Sequence, residues 1–586
     1  MHTNTSDRIA TYLRALYGEQ QGAAATEQLA AMLAAFVRPS PPAPLAHGAR
    51  DGGGRAELSS DDVILITYGD QVREPGRPPL QTLGALLDTR LRGVVSGVHI
   101  LPFSPSTSDD GFAVVDYLAV DPALGSWDDI ARIGACHRLM VDAVVNHCSA
   151  SSRWFQDFLA GEPGAEVRFH SIDPATDLRG VTRPRTTPLL TPFTTPDGTR
   201  HIWTTFSADQ IDLNFANPEV LLSMTSVLLE YVAHGASMIR LDAIGYLWKE
   251  IGTRCIHLPQ AHQVVQFWRA VLDAVAPEVL LISETNVPHA DNISYFGNGT
   301  NEAQMVYQFP LAPLVLHAFA TGDATTLSGW ACDLAPPAPT CAFFNFLASH
   351  DGIGVVPATG ILRHDEVRAL CAQVERHGGR VSYKNNPSGD ASPYELNCTW
   401  FDALSDPQGG EPQQLCIDRF IASQAIMLAL QGVPGIYVHS LVGSSNDQAG
   451  FAETGRARTL NRGRWERAEL EVLLADEASR AGAIFRRMAT LLAIRRGESA
   501  FHPAGPQRLR DLGAGLFAIE RHTPGGGPAL LCLHSVTTVP QQTRLAVATG
   551  ASYRDLLSGE SLVAGVDGAL AVDLGPYQVR WLKEWE

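Results

Sequence analysis

Eight short apolar runs, separated by amphipathic helical stretches, restrict this chain to very few architectures. They are Val63–Tyr68, Val94–Leu101, Leu139–Asn146, Ser237–Ala243, Val279–Glu284, Gln304–Phe309, Ala342–Ser349 and Gly435–His439. Helix candidates fall between most of them: Thr82–Arg92, Trp127–His137, Glu219–His234 and His262–Ala276. Parallel strands need crossover connections of this kind and are buried on both faces, so they read as continuous rather than alternating apolar runs. The pattern predicts an α/β fold, a (β/α)8 TIM barrel. An open doubly wound sheet is the competitor, but no G-x-G-x-x-G turn follows the first run, which weighs against a dinucleotide fold.

At 586 residues the chain exceeds an ordinary single domain, so the barrel should carry insertions or additions. Helical spacing of Ile9, Leu13, Leu16, Leu29, Met32 and Leu33 predicts a helix from Ser6 to about Val37, followed by a Pro/Gly/Ala-rich linker at Pro39–Gly54. The division expected is an N-terminal extension over 1–55, then barrel segments over 56–146, 218–352 and 416–504. Inserted segments would occupy 147–217 and 353–415, both longer than simple barrel loops. Past residue 505, short alternating runs such as LFAIERH and ALLCLHSV predict a small all-β C-terminal domain.

A net charge of −18 offers no basic footprint for nucleic acid or an anionic membrane. No apolar run approaches the ~20 residues needed to span a bilayer. The opening MHTNTSDRIATYL lacks the basic start and apolar core of a secretory signal. Nine cysteines without C-x-x-C pairing point to reduced thiols, and hence to a cytoplasmic enzyme. No H-E-x-x-H or close His/Cys cluster suggests a metal.

Three carboxylates end or closely follow strand runs: Asp242 in MIRLDAIGY, Glu284 in LLISETNVPH and Asp351 in FLASHDGIG. A lone example is as well explained as a strand-end cap. Three on barrel strands 4, 5 and 7 converge on the C-terminal rim, where barrel active sites are built. Glycoside cleavage with retention uses one carboxylate as nucleophile and a second as acid and then base, and a third negative charge can stabilise an oxocarbenium-like transition state.

The motifs around these residues resemble the sucrose phosphorylase branch of the α-amylase family, glycoside hydrolase family 13. The likeness runs from Asp62 to the C-terminus. It is carried by LITYGDQ at 65–71, GVHILPF at 97–103, SDDGFAVVDY at 108–117, VVNH at 144–147, IRLDAIGY at 239–246, SETNVPH from 283, SHDGIG at 349–354 and GRARTLNR at 455–462. The resemblance implies Asp242 as nucleophile, Glu284 as acid/base and Asp351 as transition-state stabiliser. Arg240 would keep the nucleophile ionised, since a nearby cation lowers a carboxyl pKa. His147, His350 and Phe206 would contact the glucosyl unit, and Asp109 with Arg456 would clasp its far hydroxyls. Asn146 matches a position that helps hold calcium in many α-amylases, although the phosphorylase branch generally lacks that ion.

Arg183 and Arg185, in RPRTTPLLTPF at 183–193, match the family's phosphate-side loop, and paired guanidinium donors suit a tetrahedral anion. Tyr394 in SPYELN matches a tyrosine of the second acceptor loop. The ETNVPHADNISYFG form at 284–297 and the long N-terminal extension resemble the glucosylglycerate phosphorylase group within the branch. The expected activity is phosphorolysis of 2-O-α-glucosylglycerate to α-glucose 1-phosphate and D-glycerate, with inorganic phosphate as co-substrate and no cofactor or metal. Sucrose, sucrose 6-phosphate or glucosylglycerol phosphorylase activity stays open, as does α-glucoside hydrolysis or transglucosylation. The partners expected are the small α-glucoside and phosphate, with a homodimer left open.

Overall fold

A computed structural model describes residues 3–37, 57–386 and 389–585. Eight parallel strands close into a barrel: β1 (Ile64–Thr67), β2 (Gly97–Ile100), β3 (Arg138–Ala143), β4 (Ala236–Leu241), β5 (Leu280–Ser283), β6 (Met305–Tyr307), β7 (Ala342–Asn345) and β8 (Val433–Tyr437). Each pairs with its sequence neighbours, and β8 pairs back with β1. All eight are core strands, buried almost throughout, which is why they read as continuous apolar runs. The TIM-barrel expectation holds.

One expected helix begins where its periodicity places it, at Trp127, and the other three begin one to three residues earlier. Those three, Pro79–Thr89, Pro218–Ala233 and Pro259–Val275, open on a proline. Proline lacks the amide hydrogen that the first helical turn leaves unpaired, so it starts a helix without cost. Asn217 caps the second of these, its side chain accepting from Glu219 N at 3.0 Å.

The N-terminal extension forms helix Thr3–Ala35, broken at Gly18, whose φ of 76° and ψ of 176° no helix contains. The two halves pack tightly where they turn: a Cβ at Gly22 would lie 2.7 Å from Arg14 Cα. Ile9, Leu13, Leu29 and Leu33 are buried in the main core. The extension rests on helices 218–233 and 259–275, where Tyr17 Oη donates to Phe215 O at 2.9 Å and Arg8 meets Asp273 at 3.4 Å. The linker expected at Pro39–Gly54 lies outside the described residues.

Two long excursions leave the C-terminal rim. After β3 the chain forms a helix, Arg153–Ala160, and a hairpin of Leu190–Thr195 with Gly198–Trp203, returning through Gln210–Asp212, which pairs with His147–Ser149. After β7 it forms a three-stranded sheet of Ile353–Gly354, Ala391–Asn397 and Arg380–Asn385, packed against helix His364–Arg376. From Gln507 onward strands dominate, in a six-stranded sheet and a two-stranded one. One face of this region joins the main core through Phe517, Ile519, Cys532 and Trp581, and the other has a core of its own.

Candidate active site

Strand register brings the carboxylates together. Leu241 at the end of β4 lies opposite Ser283 at the end of β5, so Asp242 and Glu284 emerge side by side on the rim. The chain turns sharply after Asp242: Ala243 takes a left-handed φ of 52°, unusual for a residue with a Cβ. That turn points its amide at Glu284, donating to Oε2 at 3.2 Å. Asp351 joins them from the loop after β7.

Arg240, only 1% exposed, lies beneath all three. Side chains alternate along a strand, so Arg240 and Asp242 face the same way. Its Nη1 donates to Asp242 Oδ1 at 2.8 Å and also to Asp142 Oδ1, while Nη2 lies 3.7 Å from Glu284 and 3.9 Å from Asp351. Asp142 is held in turn by His99 Nε2 at 2.6 Å. The rings of Phe112 and Tyr307 lie 5.6 and 5.4 Å from the guanidinium.

This environment separates the carboxyls. Burial raises Glu284 to about 8, opposed by Arg240 and reinforced by the negative charges of Asp242 and Asp351. Burial also pushes Asp242 upward, against Arg240. Because Arg240 bonds directly to Asp242 and stands farther from Glu284, the proton shared by this buried pair resides on Glu284 near neutrality. Burial works against ionisation of Asp351 too, but the guanidinium groups of Arg458, Arg240 and Arg462 outweigh it and hold that carboxyl well below its usual range. The site thus offers one protonated and two ionised carboxyls.

Asp242, Glu284 and Asp351 line a cavity of about 60 Å³ together with Asp109, His147, Phe206, His350, Arg185 and Tyr394. His350 stacks on Phe112, 4.8 Å between centroids, and burial lowers its pKa to about 3, so it is a neutral donor or acceptor. His147 Nε2 donates to Phe112 O at 2.9 Å, and its ring stands 5.2 Å from Phe206.

The pairing of Asp109 with Arg456 is corrected by the structure. Arg456 is exposed and lines no part of the cavity, whereas Arg458 Nη1 lies 3.5 Å from Asp109 and 3.0 Å from Asp351. The segment GRARTLNR does reach the site, through Arg458 and not through Arg456. The local reason is that Gly455 and Arg456 close helix Gln448–Thr454, and the chain then enters a 3-10 turn, Ala457–Asn461, that carries Arg458 inward. Glu395 and Phe112 also line the cavity and were not singled out from the sequence. Glu395 directly follows Tyr394 and was readable as part of that motif.

Arg183 and Arg185 do not share one pocket. Arg185 lines the inner cavity, its guanidinium 5.0 Å from the Tyr394 ring and 5.7 Å from Phe206. Arg183 faces an adjoining cavity of about 650 Å³ and donates to Thr187 O. Alternate arginines of a kinked Arg-Pro-Arg segment are thus directed to different spaces.

Beside Asn146 the structure places a lysine. Lys249 Nζ lies 3.0 Å from Asn146 Oδ1 and 2.7 Å from Asp212 Oδ2, with Tyr246 O as a further acceptor. An ammonium there supplies the positive charge those oxygens call for. Among the described residues, no group of three or more His, Cys, Asp or Glu side chains is arranged to hold a metal.

A model of the α-amylase catalytic domain matches residues 93–333. A glucosylglycerate phosphorylase of Allomeiothermus silvanus is 54% identical over 533 residues, covering 91% of this chain and 92% of its own. One from Spirochaeta thermophila is 45% identical over 586 residues, 98% of each chain. Among solved structures, sucrose 6F-phosphate phosphorylase from Thermoanaerobacter thermosaccharolyticum has a TM-score of 0.72 at 23% identity, over 89% of this chain and 99% of that one, a likeness of fold alone. The chain belongs to the α-amylase family, glycoside hydrolase family 13, and within it to the glycoside phosphorylases, which are hexosyl-transferring enzymes.

Proposed function

We propose that this enzyme converts 2-O-α-glucosylglycerate and inorganic phosphate into α-glucose 1-phosphate and D-glycerate, with retention of configuration. The observation that carries the mechanism is the unequal placing of the pair about one arginine: Arg240 donates to Asp242 at 2.8 Å but stands 3.7 Å from Glu284, whose carboxyl burial raises to about 8. In the first displacement an Asp242 oxygen attacks the anomeric carbon as the bond to the glycerate oxygen breaks. The Glu284 proton passes to that oxygen, leaving a β-glucosyl ester and a Glu284 carboxylate. In the second, a phosphate oxygen attacks the same carbon, the ester bond breaks to return the Asp242 carboxylate, and Glu284 takes the phosphate's proton.

The remaining roles follow from position. Asp351, held ionised, faces the positive charge that develops on the sugar ring. Asp109, His147, His350 and Phe206 surround the glucosyl unit, with Arg458 in the role first given to Arg456. Arg185 and Tyr394 face the acceptor, phosphate or the glycerate carboxylate in turn, and Arg183 stands outside them. No cofactor is needed, since every proton and bond is supplied by substrates and carboxyls.

We further place the enzyme in the cytoplasm. None of the nine cysteines forms a disulfide, as in a reducing compartment. Among the described residues, no helix is long and apolar enough to cross a membrane. The expected partners are the glucoside and phosphate, with neither nucleic acid nor membrane, and self-association as a homodimer is measurable by sedimentation.

The deciding experiment is phosphate-dependent release of glucose 1-phosphate from glucosylglycerate, sucrose, sucrose 6-phosphate and glucosylglycerol. Glucosylglycerate should give the highest kcat/KM. A preference for any other donor overturns the substrate, and release of free glucose without phosphate dependence overturns the phosphorylase reading itself.

A further inference from the structure

His257 is held where nothing in the catalytic scheme requires a histidine. Its backbone takes a left-handed φ of 54°, two residues after Cys255 at 49°, a conformation disfavoured for side chains other than glycine. The amide of His257 donates to Gly245 O at 2.9 Å, and its ring lies so close over Gly245 that a Cβ there would be 3.0 Å from Cε1. The imidazole therefore sits directly on the turn that follows Asp242.

The ring is oriented from behind. Nδ1 meets Tyr295 Oη at 2.8 Å; Tyr295 stacks on His262 at 4.4 Å, and His262 Nδ1 bonds Glu302 at 2.9 Å. The opposite nitrogen, Nε2, is buried and has no partner. A buried polar atom left unpaired is costly, and at a site it marks where a ligand atom belongs. His257 lines both the inner cavity, which holds Arg185, and the outer one, which holds Arg183. Burial lowers its pKa to about 4, with Asp291 opposing, so the ring is neutral and carries one N–H.

We propose that His257 is a specificity-determining contact for the organic acceptor, its Nε2–H donating to a carboxylate or hydroxyl oxygen of the small hydroxy acid that reaches from the inner cavity toward the outer one. The tautomer follows if Tyr295 Oη donates to Nδ1. Phosphate, more compact, is gripped by Arg185 within. Tyr295 is a positioning residue that acts through His257. This inference rests on the glucosylglycerate reading above.

The test measures three quantities in H257A and Tyr295→Phe: KM for D-glycerate in synthesis from glucose 1-phosphate, KM for phosphate in phosphorolysis, and the rate of α-glucosyl fluoride hydrolysis. Loss of a hydrogen bond to an anion predicts a rise of about tenfold in KM for glycerate in H257A and about threefold in Y295F. Phosphate KM should move by less than about twofold, and any fall in fluoride hydrolysis should be several-fold smaller than the rise in KM for glycerate. Unchanged glycerate KM in both variants overturns the proposal. So does an equal rise for glycerate and phosphate, or a parallel loss of fluoride hydrolysis, which would mark the ring as structural filling. A wild-type enzyme that makes no product from glycerate and glucose 1-phosphate overturns the glucosylglycerate reading first, a result distinct from any of these.

Discussion

Arg458 Nη2 lies 3.0 and 3.1 Å from the two carboxylate oxygens of Glu395, a contact made between a turn beyond β8 and a strand of the excursion after β7. With Nη2 so occupied, Nη1 is directed at Asp351 and Asp109. A planar guanidinium fixed at one end presents its other donors at a set angle, which a lysine could not do. Glu395 thereby decides where the positive charge beside the glucosyl site sits.

Arg458→Ala should lower kcat/KM for the glucoside by about 100-fold or more, because Asp351, Asp109 and Glu395 lose a shared cation and the sugar loses a donor. Arg456→Ala should stay within about twofold of wild type, as expected for an exposed side chain outside the cavity. Steady-state kinetics on both variants checks this, and the reverse ranking would place the sugar contact on Arg456.

Much of the barrel was legible because burial on both faces leaves its mark on every residue of a strand, as in Val279–Glu284. Strand-end position likewise made Asp242 and Glu284 readable, since register alone sets them side by side. Arg458 was not separable from Arg456, because the difference is a backbone turn after Gly455 and not a residue pattern. His257 escaped for a related reason: its importance comes from positive φ and an unpaired nitrogen, neither of which a sequence displays. The break at Gly18 was hidden by good helix formers on both sides.

Asp242→Asn should abolish turnover, and Glu284→Gln should slow it by ~10³-fold or more with the fold intact. An amide can neither form the glucosyl ester nor give up a proton. Single-turnover kinetics with mass spectrometry of the trapped intermediate checks both roles. An ester found on any residue other than Asp242, or wild-type rates in either variant, would falsify the assignment.

The pH profile follows from Glu284. Its carboxyl is raised, so the acid form is present at lower pH and is lost as pH rises through about 8. Cleavage of a poor leaving group needs that proton, so kcat/KM for glucosylglycerate should fall on the alkaline side with an apparent pKa near 8. α-Glucosyl fluoride, whose leaving group needs little protonation, should show no such fall in its glucosylation step. Matching alkaline limbs for the two donors would mean that some other group is titrating.

Lys249 makes a stability prediction independent of turnover. Its ammonium is 3% exposed and sits 2.7 Å from Asp212, whose carboxylate is fully buried. Removing one member of a buried ion pair strands the other charge and costs about 3–5 kcal/mol. Asp212 keeps bonds from Thr205 N and Oγ1 at 2.7 Å and from Asn146 at 3.0 Å, so Lys249→Met should fall toward the lower end. The loss should grow with pH. Burial raises the Asp212 carboxyl, and Lys249 outweighs it to give a depressed value, so in the wild type the ionised form contributes stability above the unfolded-state pKa. Without the lysine, burial dominates, the folded-state pKa rises, and each step toward higher pH favours the unfolded chain. Urea unfolding at pH 5 and pH 8 should therefore show the larger deficit at pH 8, and adding Asp212→Asn should recover most of it. A deficit below about 0.5 kcal/mol at both pH values, typical of a surface lysine, would mean that this buried ammonium does not hold the Asn146–Asp212 oxygens in place.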